Sequence, residues 1–215
     1  MRFILLILLA ATGLAHASSG EAGLGGAGLG GAGLGSAGLL DALRQGGLVI
    51  FLRHAETGSA APDQARAVPG DCDTQRNLSA AGQAQAVEIG AQFRALGIPV
   101  GAVLASPFCR TMETGVLAFG RAAPEWALTL PRDTGHADAH RAMGDALLRL
   151  LPASLPPGQN LVLVGHSYHL IAAGGPRLEP QGAAAIFRPG GMSVLATLGP
   201  ADWAALAAPA HASLR

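Results

Sequence analysis

Three apolar runs in the 215-residue chain end in residues able to do chemistry. Residues 48–52 (LVIFL) run into Arg53-His54, residues 100–105 (VGAVLA) into Ser106-Pro107, and residues 161–164 (LVLV) into Gly165-His166. A guanidinium presents a planar fork of donors that matches the oxygens of a carboxylate or phosphate. An imidazole, with its pKa near neutrality, can serve as nucleophile, base or acid. Either residue alone carries little weight, since a single histidine after a strand is more often structural. Their combination across the run ends is what points to an anion pocket.

Such a pocket needs elements that bring the run ends together. Short, continuous apolar runs are the profile of strands buried on both faces. Helical segments lie between them. Ser79 is a candidate N-cap for a stretch with apolar residues at Ala84, Val87, Ile89, Ala91 and Leu96, stopped by Gly97 and Pro99. Residues 109–119 form the next helix, closed by Gly120. Residues 138–151 form another (Met143, Ala146, Leu147, Leu150), followed by a Pro-rich linker at 152–157. Residues 184–187 and 193–198 read as a late hairpin around Pro189-Gly190-Gly191. Strands alternating with helices imply an α/β fold, a three-layer α/β/α sandwich with a mostly parallel central sheet. Ligands of such sheets sit beyond the carboxyl ends of the strands. Arg53-His54, Ser106-Pro107 and Gly165-His166 are thus expected along one edge.

Composition narrows the partners. The 14 basic residues, all arginine, balance 14 acidic ones, so no bulk charge draws the chain to nucleic acid or anionic membranes. Half of the residues are hydrophobic, which argues against outright disorder. The N-terminus reads as an address. Arg2, an apolar run over residues 3–11 and the small-x-small triplet Ala15-His16-Ala17 describe a secretory signal peptide over residues 1–17. That run is too short to span a bilayer, so no stable membrane insertion is expected after cleavage. A buried N-terminal helix is the alternative. Many of the 31 glycines fall in a five-residue Ala-Gly-Leu-Gly-Gly repeat. Residues 18–38 are read as a low-complexity tether, with weak self-association through the spaced leucines as the other reading. A single catalytic domain, residues 39–215, remains.

Leu52-Arg53-His54-Ala55-Glu56-Thr57 resembles the signature of the histidine phosphatase (phosphoglycerate-mutase-like) superfamily, with Ala55 where glycine is usual. The segment 77–86 (NLSAAGQAQA) is similar to that family's helix after the first loop. Ser106-Pro107-Phe108-Cys109-Arg110-Thr111, with Thr114 beyond, is similar to the part carrying its second arginine, and Val164-Gly165-His166-Ser167 to the strand delivering its second histidine. The resemblance covers nearly all of the chain after the glycine tract and extends to a small, exported bacterial branch. It implies a phosphomonoesterase acting on a small phosphorylated substrate, with Arg53, His54, Arg110 and His166 binding the phosphoryl group. His54 would be the nucleophile that forms a phosphohistidine, and His166 would stabilise developing charge. No metal or other cofactor is implied. A catalytically weak phosphate-binding protein of the same fold is the alternative.

The proton donor to the leaving alcohol is less defined. Glu125, Asp133 and Asp138 are candidates, with Asp133 preferred, and His169 is a possible substitute beyond the second histidine. Glu56 is expected to orient the first loop. The alternating His136, Asp138 and His140 could suggest a metal site, but positions two apart on a helix diverge and no third ligand is evident. Cys72 and Cys109 are an even pair in an exported chain, and a disulfide between them would pin the loop after the first strand to the segment presenting Arg110. A Cys-x5-Arg loop of the cysteine phosphatase type is absent. Substrate choice falls to the variable loops at 58–76 and 121–137, whose composition singles out no ligand, and the oligomeric state is not written in the sequence.

Overall fold

A computed structural model describes residues 34–59, 66–132 and 135–207. Its elements run α1 (Ser36–Gln45), β1 (Val49–Arg53), α2 (Ala80–Ala95), β2 (Val100–Ala105), α3 (Cys109–Phe119), β3 (Ala123–Pro124), α4 (Ala137–Leu150), β4 (Asn160–Gly165), α5 (Ser167–Ala172), β5 (Ala184–Phe187), β6 (Val194–Leu198) and α6 (Asp202–Ala205). Six strands form one sheet in the order β3-β2-β4-β1-β5-β6. The first four are mutually parallel, and the late hairpin adds β5 antiparallel to β1 and β6 antiparallel to β5.

Side chains alternate across β1 and so build two cores. Ile50 and Leu52 join Leu39, Leu43, Ile89, Phe93, Val162, Val164 and Trp203 on one face. Val49 and Phe51 join Leu147, Leu163, Leu170 and Phe187 on the other. Helices α1 and α2 cover the first face and α4 and α5 the second, giving the expected three layers. Burial on both faces explains why β1 and β4 read as unbroken apolar runs.

Local signals match the observed ends. The Ser79 hydroxyl accepts a hydrogen bond from the Gly82 amide, 2.9 Å, capping α2. Gly120 closes α3 in the left-handed conformation (φ 73°) that glycine adopts freely. One difference lies at the start. Helix α1 begins at Ser36, so the last residues of the stretch read as tether are helical, and they deliver Leu39, Leu40 and Leu43 to the core. The proposed signal peptide and most of the glycine repeat lie outside the described residues. No helix among the described residues is long and apolar enough to cross a membrane.

Candidate active site

The register of the parallel strands sets the site. Arg53 lies opposite Gly165 and Ala105 opposite Val164, so β1, β4 and β2 end at one level. The His54 amide donates to the Gly165 carbonyl (3.1 Å) and the Ser106 amide to that of Val164 (2.9 Å). His54, Ser106 and His166, each directly after a strand, therefore stand side by side. Their neighbour Arg110 comes from the first turn of α3.

The turn after β1 is gripped from several directions. The Ala55 amide donates to Thr114 Oγ1 (3.0 Å), which itself donates to the Arg110 carbonyl (2.6 Å). Glu56 accepts from the Ser79 hydroxyl at Oε1 and from the Ser79 amide at its carbonyl. Gln85 and Gln181 bind the amides of Glu56 and Thr57. A Cβ on Gly82 would lie 1.9 Å from the Glu56 carbonyl oxygen, so only glycine lets α2 approach this closely. These contacts fix the backbone on which His54 sits.

The two histidines are buried, with ring centroids 5.4 Å apart. His54 Nδ1 lies 2.8 Å from the Ala55 carbonyl, which can only accept. The proton therefore sits on Nδ1, and Nε2 keeps its lone pair. His166 Nδ1 accepts from Arg110 Nη2 (3.4 Å), so its proton sits on Nε2, 3.2 Å from the Ser106 hydroxyl. Burial, reinforced by the Arg110 charge, pushes His54 down to about 3 and His166 well below the ordinary range. Both rings are neutral at physiological pH.

Arg110 is 2% exposed and stacks over the Phe108 ring at 4.7 Å. Burial and then the Arg76 charge lower it to about 10, which leaves it protonated at neutral pH. Its Nε and Nη1 are buried without a partner. Arg53 differs: its Nη1 donates to the Leu178 carbonyl (2.8 Å) and pairs with Glu179. An anion set between the histidines would satisfy the free donors of Arg110, and the lone pair on His54 Nε2 could attack it.

The structure gives the candidate acids different settings. Glu125 caps the short turn at Trp126–Leu128 through the Ala127 amide (2.9 Å). Asp138 is a surface residue, its side chain 96% exposed, facing Arg141. Asp133 lies outside the described residues. His169 is wholly buried and stacked at 6.3 Å on His166, with neither ring nitrogen in a well-formed hydrogen bond. Burial lowers it to about 4, against the backbone hydrogen bonds of Ala127, Thr129 and His166, so its ring is neutral at neutral pH. No cluster of metal-ligating side chains occurs among the described residues.

Cys72 and Cys109 form a disulfide. It joins the loop after β1 to the residue before Arg110, and Gln75 reinforces the link by accepting from the Cys109 amide (2.8 Å). Gln75 and Arg76 fall in the loop 58–76 assigned to substrate choice without a role of their own, and Glu179 and Gln181 were not singled out. Arg76 left a further trace, as a cation just before the segment 77–86 already singled out.

A model of the histidine phosphatase superfamily (branch 1) matches residues 49–128. No curated protein sequence matches the chain significantly. Among solved structures, a phosphoserine phosphatase from Entamoeba histolytica bound to phosphoserine is similar at 16% identity and a TM-score of 0.50, over 71% of this chain and 97% of that one. The SixA protein of Agrobacterium tumefaciens is 23% identical over 71% of this chain and 98% of its own, with a TM-score of 0.48. The protein histidine phosphatase SixA complexed with tungstate is 17% identical, with 72% and 98% covered and a TM-score of 0.46. The first of these is a likeness of fold. The family match spans the strand that leads into Arg53-His54, the loop and helix that brace it, and the turn that presents Arg110, so over this stretch the chain is similar to the histidine phosphatase superfamily.

Proposed function

We propose that the protein is an exported phosphomonoesterase that works through a phosphohistidine on His54. The observation that carries this reading is Arg110, a buried guanidinium with two unpartnered donors beside two neutral histidines. A phosphoryl dianion supplies the missing acceptors and brings negative charge to a guanidinium that has no carboxylate partner of its own.

Arg110 and Arg53 hold the non-bridging oxygens. His54 Nε2 attacks phosphorus, the N–P bond forming as the bond to the leaving oxygen breaks, and that oxygen takes a proton. Asp133, which follows the Trp126–Leu128 turn in the sequence, is the proposed donor. His166 donates from Nε2 to the phosphoryl oxygens, where charge builds up. A water oxygen then attacks phosphorus as it gives one proton to the Asp133 carboxylate, the N–P bond breaks, and phosphate leaves with His54 neutral and Asp133 reprotonated. Two displacements replace one difficult step. Export rests on the N-terminal signal-like segment and agrees with a disulfide, a bond that persists in oxidising compartments.

The test is His54→Ala assayed with para-nitrophenyl phosphate. Turnover is expected to fall by roughly 10³-fold or more with the circular dichroism spectrum unchanged. Undiminished turnover overturns the reading. Stoichiometric phosphate binding with no turnover in the wild type makes the chain a phosphate-binding protein instead. A panel of phosphomonoesters, phosphoserine among them, then sets the substrate.

A further inference from the structure

We propose that Arg76 is a specificity-determining residue that reads a second anionic group on the phosphorylated substrate, and this rests on the phosphatase reading above. The backbone around Arg76 is held from both sides. On one side Gln75, only 3% exposed, accepts from the Cys109 amide and donates to the Val68 carbonyl (2.6 Å), next to the Cys72–Cys109 disulfide. On the other, the Asn77 carbonyl accepts from the Gly58 amide (3.1 Å), and Leu78 bridges Thr57 in antiparallel fashion. The Asn77 side chain closes the loop on the Cys72 carbonyl (2.8 Å). Residue 76 is therefore suspended between the turn that carries His54 and the helix start that carries Arg110.

Its side chain is exposed and makes no ion pair or hydrogen bond with another described residue. Its charge nevertheless acts on both His54 and Arg110. Arg53 has Glu179 as a counter-charge, and Arg110 is enclosed where the phosphoryl group fits. Arg76 is an exposed cation without such a partner among the described residues, on backbone held between the His54 turn and the start of the Arg110 helix. A carboxylate or second phosphate on the leaving group would meet it there in a forked, charge-assisted pair of the kind that favours arginine.

The test compares phenyl phosphate with 4-carboxyphenyl phosphate on the full chain, wild type, Arg76→Gln and Arg76→Lys. The wild type is expected to favour the carboxylated member. Arg76→Gln is expected to lose about five- to tenfold more kcat/KM on that member than on phenyl phosphate, carried by KM, while Arg76→Lys keeps most of the preference. Calorimetric binding of phenylphosphonate and 4-carboxyphenylphosphonate should show the same difference without any turnover. Equal losses on both members, no loss, or a wild type indifferent to the carboxylate overturns the assignment. A protein that hydrolyses neither ester yet keeps the phosphonate preference sinks the phosphatase reading and leaves Arg76 as the anion reader.

Discussion

Arg53 leaves the end of β1 with Nη1 already donating to the Leu178 carbonyl and paired with Glu179. Arg110, from the first turn of α3, is buried over Phe108 with Nε and Nη1 unsatisfied. The pocket thus holds two guanidiniums in opposite conditions. Arg53 is oriented before any ligand arrives, at the cost of sharing its donors. Arg110 has donors that only an incoming acceptor can engage, and a buried polar group without a partner costs about 1–3 kcal/mol. Ligand dependence should therefore be concentrated on Arg110, with Arg53 as a pre-set second clamp.

The largest effect expected follows directly. Arg110→Ala should lower kcat/KM for an aryl phosphate by roughly 10³-fold or more, and Arg53→Ala by about 10- to 100-fold. Equal losses would break the distinction. Ligand-linked stability sharpens it: phosphate at about 100 times its Kd should stabilise the wild type by about 2.7 kcal/mol in chemical denaturation. Arg110→Ala should abolish that gain, and Arg53→Ala should keep part of it.

His169 separates burial from ligand binding, since it too is buried without well-formed hydrogen bonds. An unfolded histidine takes up a proton near 6.5, while this one resists until about 4. The unfolded state therefore binds more protons across that window, and stability falls as pH drops from about 6.5 towards 4. His169→Leu should remove about 2 kcal/mol of that acid sensitivity at pH 5, read from urea midpoints at pH 5 and 7.5. An unchanged pH slope would mean that His169 is solvated in solution. The smallest effect concerns Glu179, which competes with phosphate for Arg53. Glu179→Gln should tighten phosphate inhibition about two- to fivefold. Weaker inhibition would show instead that Glu179 is needed to hold Arg53 in place.

The elements legible in the sequence were those with local determinants. Ser79 announces α2 through its cap, Gly120 closes α3, and the runs before His54 and His166 are apolar because both faces of β1 and β4 are covered. Helix α1 was hidden by the Gly/Ala/Leu tract it grows from, although Leu39, Leu40 and Leu43 share one face. Strand β3 has two residues and α5 six, too short to leave a period. Gln75, Glu179 and Gln181 were invisible for another reason. Their roles depend on partners far along the chain, 126 positions in the case of Arg53 and Glu179.

Residue type and local pattern were enough to determine that two arginines and two histidines follow strands or start a helix, and that an anion is the ligand such residues suit. Which arginine is already paired, which histidine nitrogen keeps its lone pair, and where Arg76 stands relative to both were decided only by the tertiary structure. Those properties belong to carbonyls, carboxylates and burial contributed by distant segments, and folding alone sets the distances between them.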